Sequence, residues 1–215
     1  MRNLLLLFCF SVLTTFAQDQ IKLGLLVYRG GGDWYANPTA LPNLAKFCNQ
    51  HLKTNIQTKY DEVNIGSKDI FNYPYVYLTG HGNIVLNPQE KENLVQYLQN
   101  GGFVHVDDNY GLDAFVRPLL NSLLPNQKLQ EIPNDHEIFK MKFTRKNGLP
   151  KIHEHDGLPP QAFGLFHNGK LVLLYTYECD LGNGWEDSSV HNDPEEIRQE
   201  ALKMGANIIE YAFTR

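Results

Sequence analysis

Cysteine is scarce in this sequence. Three in 215 residues are too few for a disulfide framework, and one of them, Cys9, sits in the N-terminal apolar run. No block of like charge and no low-complexity stretch interrupts the chain. Positive charge is in the minority: 19 Lys and Arg against 24 Asp and Glu give a net charge of −5. That balance argues against partnership with nucleic acid or an anionic membrane surface. Neither a Gly-Lys-Ser/Thr phosphate loop nor a G-x-G-x-x-G fingerprint occurs, and no motif calls for a cofactor. With no internal repeat and no linker, residues 18–215 read as one domain.

The N-terminal run itself has the anatomy of a secretory leader. Arg2 supplies the positive start, Leu4 to Leu13 the apolar stretch, and Thr15-Phe16-Ala17 a small-x-small cleavage signal before Gln18. The expectation is a signal peptide over 1–17 and a mature chain exported to the periplasm or beyond. The run is short for a bilayer span. Phe8 stands where a lipoprotein signal needs a small residue before its cysteine, so no membrane anchor is expected after cleavage. Loss of the leader removes Arg2 and no acid, taking the net charge from −5 to −6. Cys48 and Cys179 remain, as two buried thiols or as one pair.

Periodicity then sets out the elements. IKLGLLVYR (21–29) is a short apolar run ended by glycines, as in a buried strand. Leu41, Leu44, Ala45, Cys48 and Leu52 make one helical stripe over about 39–52. NIQTKYDEVNI (55–65) is a more polar strand suited to a sheet edge, and YPYVYLT (73–79) is a buried one. Asn87-Pro88-Gln89-Glu90 offers a cap, a proline at the first helical position and a capping-box acid. Its helix should bury Leu94, Val95 and Leu98 and stop at Gly101-Gly102, before the strand FVHV (103–106). LDAFVRPLLNSLL reads as a helix kinked or restarted at Pro118, and 125–160 as irregular. AFGLFHNGKLVLLYTYE is a hairpin turning at His167-Asn168-Gly169, and Asp193-Pro194-Glu195-Glu196 caps a final helix. The alternation predicts an α/β fold: an open, mostly parallel sheet with helices on both faces.

Ligands of such sheets bind beyond the carboxyl ends of the strands, where strand order reverses. If the second strand lies outside the first and the third on its other side, the crevice falls between RGGGDWYANP (29–38) and TGHGN (79–83), with DDNYG (107–111) alongside. In the first loop Arg29 is a candidate anion clamp, and Gly30, Gly31 and Gly32 allow close backbone approach. Asp33 can accept hydrogen bonds or a metal, and Trp34 and Tyr35 can stack on a ring. A tight turn with an Arg–Asp pair is the plainer account of the same string. Between Gly80 and Gly82, His81 is a candidate general base, proton donor or metal ligand, or a hydrogen-bonded turn residue. Asp107 and Asp108 are a candidate carboxylate pair with Asn109 beside them. Neighbours on an extended strand point to opposite faces, so the alternative is a helix cap plus a solvated acid. IHEHDG (152–157) puts His153 and His155 on one side and resembles the start of a metallo-hydrolase H-x-H-x-D-H string without its last members. Asp180 and Trp185, in ECDLGNGWED, complete the ligand-binding candidates.

The strings YRGGGDWY, YLTGHGNIVL, YLQNGGFVHVDDNYG, DHEIF and LVLLYTYECDLGNGWED together resemble the bacterial domain-of-unknown-function family 4159, over nearly the whole mature chain. The resemblance implies kinship with the class I glutamine-amidotransferase fold and the trehalose-utilisation-type proteins within it. That implies a flavodoxin-like three-layer sandwich and no particular activity. Amidotransferases carry a nucleophilic cysteine at the turn after the strand matching FVHV. Here that turn is Asp107-Asp108-Asn109, so thiol chemistry of that kind is not expected. Two functions follow. One is an exported domain holding a small polar ligand or a partner segment at its sheet edge. The other is a hydrolase, on a carbohydrate or another substrate and with or without a divalent ion, using His81 with Asp107 or Asp108.

Overall fold

The structure, a computed structural model, describes residues 20–125 and 127–215. The leader expected over 1–17 lies outside the described residues. Seven strands form one sheet: β1 (Gly24–Val27), β2 (Asp61–Asn64), β3 (Tyr75–Gly80), β4 (Phe103–Asp108), β5 (Gln130–Glu131), β6 (Gln161–His167) and β7 (Lys170–Tyr177). Their spatial order is β2-β1-β3-β4-β7-β6-β5. The first five are parallel; β6 runs antiparallel to β7, and the edge strand β5 antiparallel to β6. The order reverses between β1 and β3, where the sequence placed the crevice.

Alternation along the central strands explains the two helical layers. Tyr75, Tyr77 and Phe103 pack on one face with α1 (Ala40–His51) and α6 (Glu195–Thr214). Val76, Leu78, Val104 and Val106 pack on the other with residues of α2 (Pro88–Gln99) and α3 (Asp113–Leu120). The strands are thus buried on both faces, which is why they read as continuous apolar runs. The result is a flavodoxin-like three-layer sandwich. Two short helices, α4 (Leu181–Trp185) and α5 (Ser188–His191), follow β7. Gly205 lets α6 approach closely: a Cβ there would stand 2.6 Å from Leu44 Cδ1 and 2.9 Å from Trp185.

Local signals and structure agree at the start of α2. Asn87 accepts from the Glu90 amide at 2.8 Å and Glu90 accepts from the Asn87 amide at 2.7 Å, a complete capping box. Val95 is only partly buried. Asp193 is a correction: α6 has no side-chain cap, because the Asp193 carboxylate is engaged by His153 instead. The irregular 125–160 segment contains the two-residue edge strand β5 and delivers Ile132, Ile138, Phe139 and Ile152 to the core.

Candidate functional site

The carboxyl ends of β1, β3, β4 and β7 are successive in the sheet, so the loops that follow them form one rim. Two backbone bonds tie the first pair together, Gly32 N–H to the Asn83 carbonyl (2.9 Å) and Val85 N–H to the Arg29 carbonyl (2.6 Å). Gly80 is required where these loops meet. Its φ is +133°, and a Cβ would stand 2.4 Å from the Tyr28 hydroxyl. The segment 151–158 joins the rim from the other side, because β6 starts where β7 ends, with Gln161 opposite Tyr177.

His81 meets an acid, but not either of those expected. Asp33 accepts from the His81 backbone N–H at 2.5 Å and lies 3.0 Å from its Nδ1. The pair is open to solvent, with the imidazole about half exposed. Arg29 pairs with Glu90 at 2.9 Å, which ties it to the α2 cap rather than leaving it as a free clamp or an Asp33 partner. Trp34 is half-buried and edge-on to exposed Tyr35. Trp185 is a further correction: it is fully buried, with its indole N–H donated to the Ala201 carbonyl, so it belongs to the core.

Asp107 and Asp108 point to opposite faces, as strand alternation requires. Asp108 Oδ1 accepts from the amides of Tyr110 (2.9 Å) and Leu112 (3.0 Å), which orders the turn into α3. Asp107 is completely buried rather than solvated. Its Oδ1 is 2.5 Å from Thr176 Oγ1, and its Oδ2 takes the Tyr77 hydroxyl (3.1 Å) and the Gly182 amide (2.7 Å). Gly182 is the residue that permits this, since a Cβ would lie 2.3 Å from the Tyr77 hydroxyl. Burial pushes the Asp107 carboxyl up from 3.8 to about 7, against the Thr176 and Gly182 hydrogen bonds and with help from the Asp180 charge. Beneath it, burial takes His105 down to about 3, so the ring is neutral between Tyr75 Oη and Thr176 Oγ1, each 3.0 Å away.

The densest polar cluster centres on Asp180. Both it and Glu178 have left-handed backbone, φ +54° and +58°, an uncommon and strained conformation for these residues. Asp180 is wholly buried, and its Oδ2 receives His155 Nε2 at 2.5 Å, with His153 Nδ1 and Asn183 Nδ2 each at 3.3 Å. His153 Nε2 reaches Asp193 at 3.0 Å. The hydrogen bond to Asp180 raises the His153 pKa to about 8, against burial and with Asp193 adding. From Asn183 a chain of amides runs through Asn37 to Asn109, under the loops of β1 and β4. Two buried acceptors in this cluster, Asp180 Oδ1 and Asn109 Oδ1, have no hydrogen-bond partner. Residues 151–158 cover it: Lys151 pairs with Glu178 (2.6 Å), the Ile152 amide bonds the Cys179 carbonyl (3.0 Å), and His155 stacks on Tyr110 at 4.6 Å.

His153 and His155 share a side as their spacing implied, and they converge on a carboxylate. Among the described residues no group of three or more His, Cys, Asp or Glu is arranged to hold a metal ion. Asn37 and Asn183 carried no sequence signal of their own. Among the described residues Cys48 and Cys179 are free and buried, and burial pushes both thiols well above their usual range. Surface hollows of about 480 and 470 Å³ lie by β2 instead, one lined by Thr58, Tyr60 and Glu62, the other by Ile21, Asp61 and Tyr73. Neither holds an unpartnered buried polar side-chain atom, whereas the rim holds three, Asp180 Oδ1, Asn109 Oδ1 and Thr79 Oγ1.

Fold and rim define a doubly wound α/β domain with a histidine- and carboxylate-rich cluster at the carboxyl edge of its sheet. The chain belongs to the family described as Domain of unknown function (DUF4159), whose model matches residues 22–213. No curated protein matches it.

Proposed function

We propose that this is an exported domain that binds a small polar ligand at the carboxyl edge of its sheet, over the cluster of Asp180, Asn183, Asn37 and Asn109. The observation that carries the proposal is the pair of unpartnered acceptors, Asp180 Oδ1 and Asn109 Oδ1. A buried acceptor left without a donor costs roughly 1–3 kcal/mol, so two in one cluster favour a missing donor-bearing partner. Both atoms are covered in this conformation. The 151–158 segment, which contacts Asp180 through two histidines, is the cover that binding would displace. The leader-like pattern of residues 1–17 supports export, which N-terminal sequencing of the secreted protein tests at Gln18.

Native mass spectrometry against a panel of small polar compounds tests the binding itself. The expected result is an adduct on the wild type that Asp180→Ala and Asn109→Ala lose and His81→Ala keeps. Adducts indifferent to Asp180 and Asn109, or none at all, would sink the proposal.

A hydrolase is the second reading, favoured by the 2.5 Å His155–Asp180 contact and the strained backbone at Asp180. It moves the acid/base pair from His81 with Asp107 or Asp108 to His155 with Asp180. Kinship with amidotransferases enters this proposal as architecture only, since Cys179 is sealed beside Asp107 (3.9 Å). Turnover of a panel of chromogenic glycosides and esters, abolished in His155→Gln, would establish this second reading.

A further inference from the structure

The amide chain beneath the rim has a direction, and the direction constrains the ligand. A carboxylate only accepts hydrogen bonds, so Asn183 must turn its NH₂ group toward Asp180 Oδ2, 3.3 Å away. Its carbonyl oxygen then faces Asn37 and accepts from Asn37 Nδ2 at 2.5 Å. The Asn37 oxygen in turn accepts from Asn109 Nδ2. Nothing follows, and Asn109 Oδ1 is left at the end of the chain, in a residue only 2% exposed. Reversing all three amides would set an Asn183 oxygen against the Asp180 carboxylate. The Asp180 carboxylate therefore fixes the orientation of all three amides.

Neutral His153 agrees with this polarity. Its Nε2 gives a proton to Asp193 at 3.0 Å, which leaves Nδ1 to accept from Asn183 Nδ2 at 3.2 Å. Both open ends of the network, Asp180 Oδ1 and Asn109 Oδ1, are therefore acceptors. The cations nearest the rim are already committed, Arg29 to Glu90 and Lys151 to Glu178. Tyr110, next to Asn109 in the chain, is half-exposed and stacks its ring on His155.

Resting on the binding site proposed above, we propose that its ligand is a small organic ammonium that carries a second N–H or O–H donor. An ammonium meets the Asp180 carboxylate with charge and a donor, and the second group meets Asn109 Oδ1. A carboxylate ligand would set acceptor against acceptor at both ends.

The test uses the ¹⁵N-labelled protein at pH 9, above the raised His153 pKa of about 8, with ethanolammonium and acetate as separate probes. The side-chain amide signals of Asn37, Asn109 and Asn183 are followed. The expected result is saturable shifts with ethanolammonium at an affinity roughly tenfold or more above that of acetate. Asp180→Asn supplies its own NH₂ and releases the chain's polarity, so the preference should fall to about threefold or less. Asn109→Ala should weaken ethanolammonium with no gain for acetate, and serves if Asp180→Asn fails to fold. Acetate binding the wild type as well as ethanolammonium overturns the ligand class and leaves the site standing. An Asp180→Asn protein with unchanged preference overturns the polarity argument. If neither probe moves the three amides, the site itself is refuted and the inference with it.

Discussion

Replacing Asp107 by asparagine should make the protein less sensitive to alkaline pH. The protonated acid fits its surroundings fully. Its Oδ1–H can donate to Thr176 Oγ1, the Thr176 hydroxyl then donates to the Val106 carbonyl at 3.2 Å, and Oδ2 keeps the Tyr77 and Gly182 donors. An asparagine with its NH₂ toward Thr176 reproduces that pattern, its second N–H facing the Cys179 sulfur. Because the folded pKa is raised above the unfolded one, the penalty for Asp107 is absent below 3.8. It grows as pH rises toward 7 and is complete above. From 3.8 to about 7 is worth about 4 kcal/mol at about 1.4 kcal/mol per tenfold. Urea unfolding of wild type and Asp107→Asn at pH 4 and pH 8 should show the variant's relative stability rising by up to about 4 kcal/mol between them. A constant difference, or one that falls with pH, would refute a buried acid that resists ionisation.

Other perturbations follow from the same contacts. His153→Gln should flatten a second pH dependence of opposite origin. The raised His153 pKa gives stability that is full below 6.5 and lost as pH rises through about 8, worth about 2 kcal/mol and readable in wild-type melts from pH 6 to pH 9. Gly205→Ala should destabilise by roughly 1–3 kcal/mol in thermal unfolding, because its methyl meets Leu44 and Trp185 at 2.6 and 2.9 Å. Asn87→Ala should cost about 1 kcal/mol by urea titration, through loss of the capping box of α2. His81→Ala should change stability by roughly 1 kcal/mol or less, since its pairing with Asp33 is open to solvent.

What could be read from the sequence divides along a physical line. Local patterns were legible: Asn87 with Glu90 as a capping box, the turn at His167-Asn168-Gly169, and the opposed directions of Asp107 and Asp108. The crevice between the β1 and β3 loops was legible too, because short crossovers leave few ways to order those strands. The partners of individual side chains were not. Asp193 has the spacing of a helix cap, and only the fold shows it facing His153, forty positions earlier. His81 lies on a loop expected near Asp107, yet the Asp33 loop reaches it first. The Asp180 cluster depends on β7 inserting beside β4, a long-range pairing with no local signature. Trp185 sits in an acidic loop, but the α4 turn carries it into the core against Ala201.

The most direct test of the account is a crystal of the protein soaked with a mixture of small amines, alcohols and carboxylates. The expected result is a bound molecule within hydrogen-bond distance of Asp180 Oδ1 or Asn109 Oδ1, with the 151–158 segment displaced. Molecules bound only in the hollows beside β2, with both acceptors still buried and unpartnered, would contradict it.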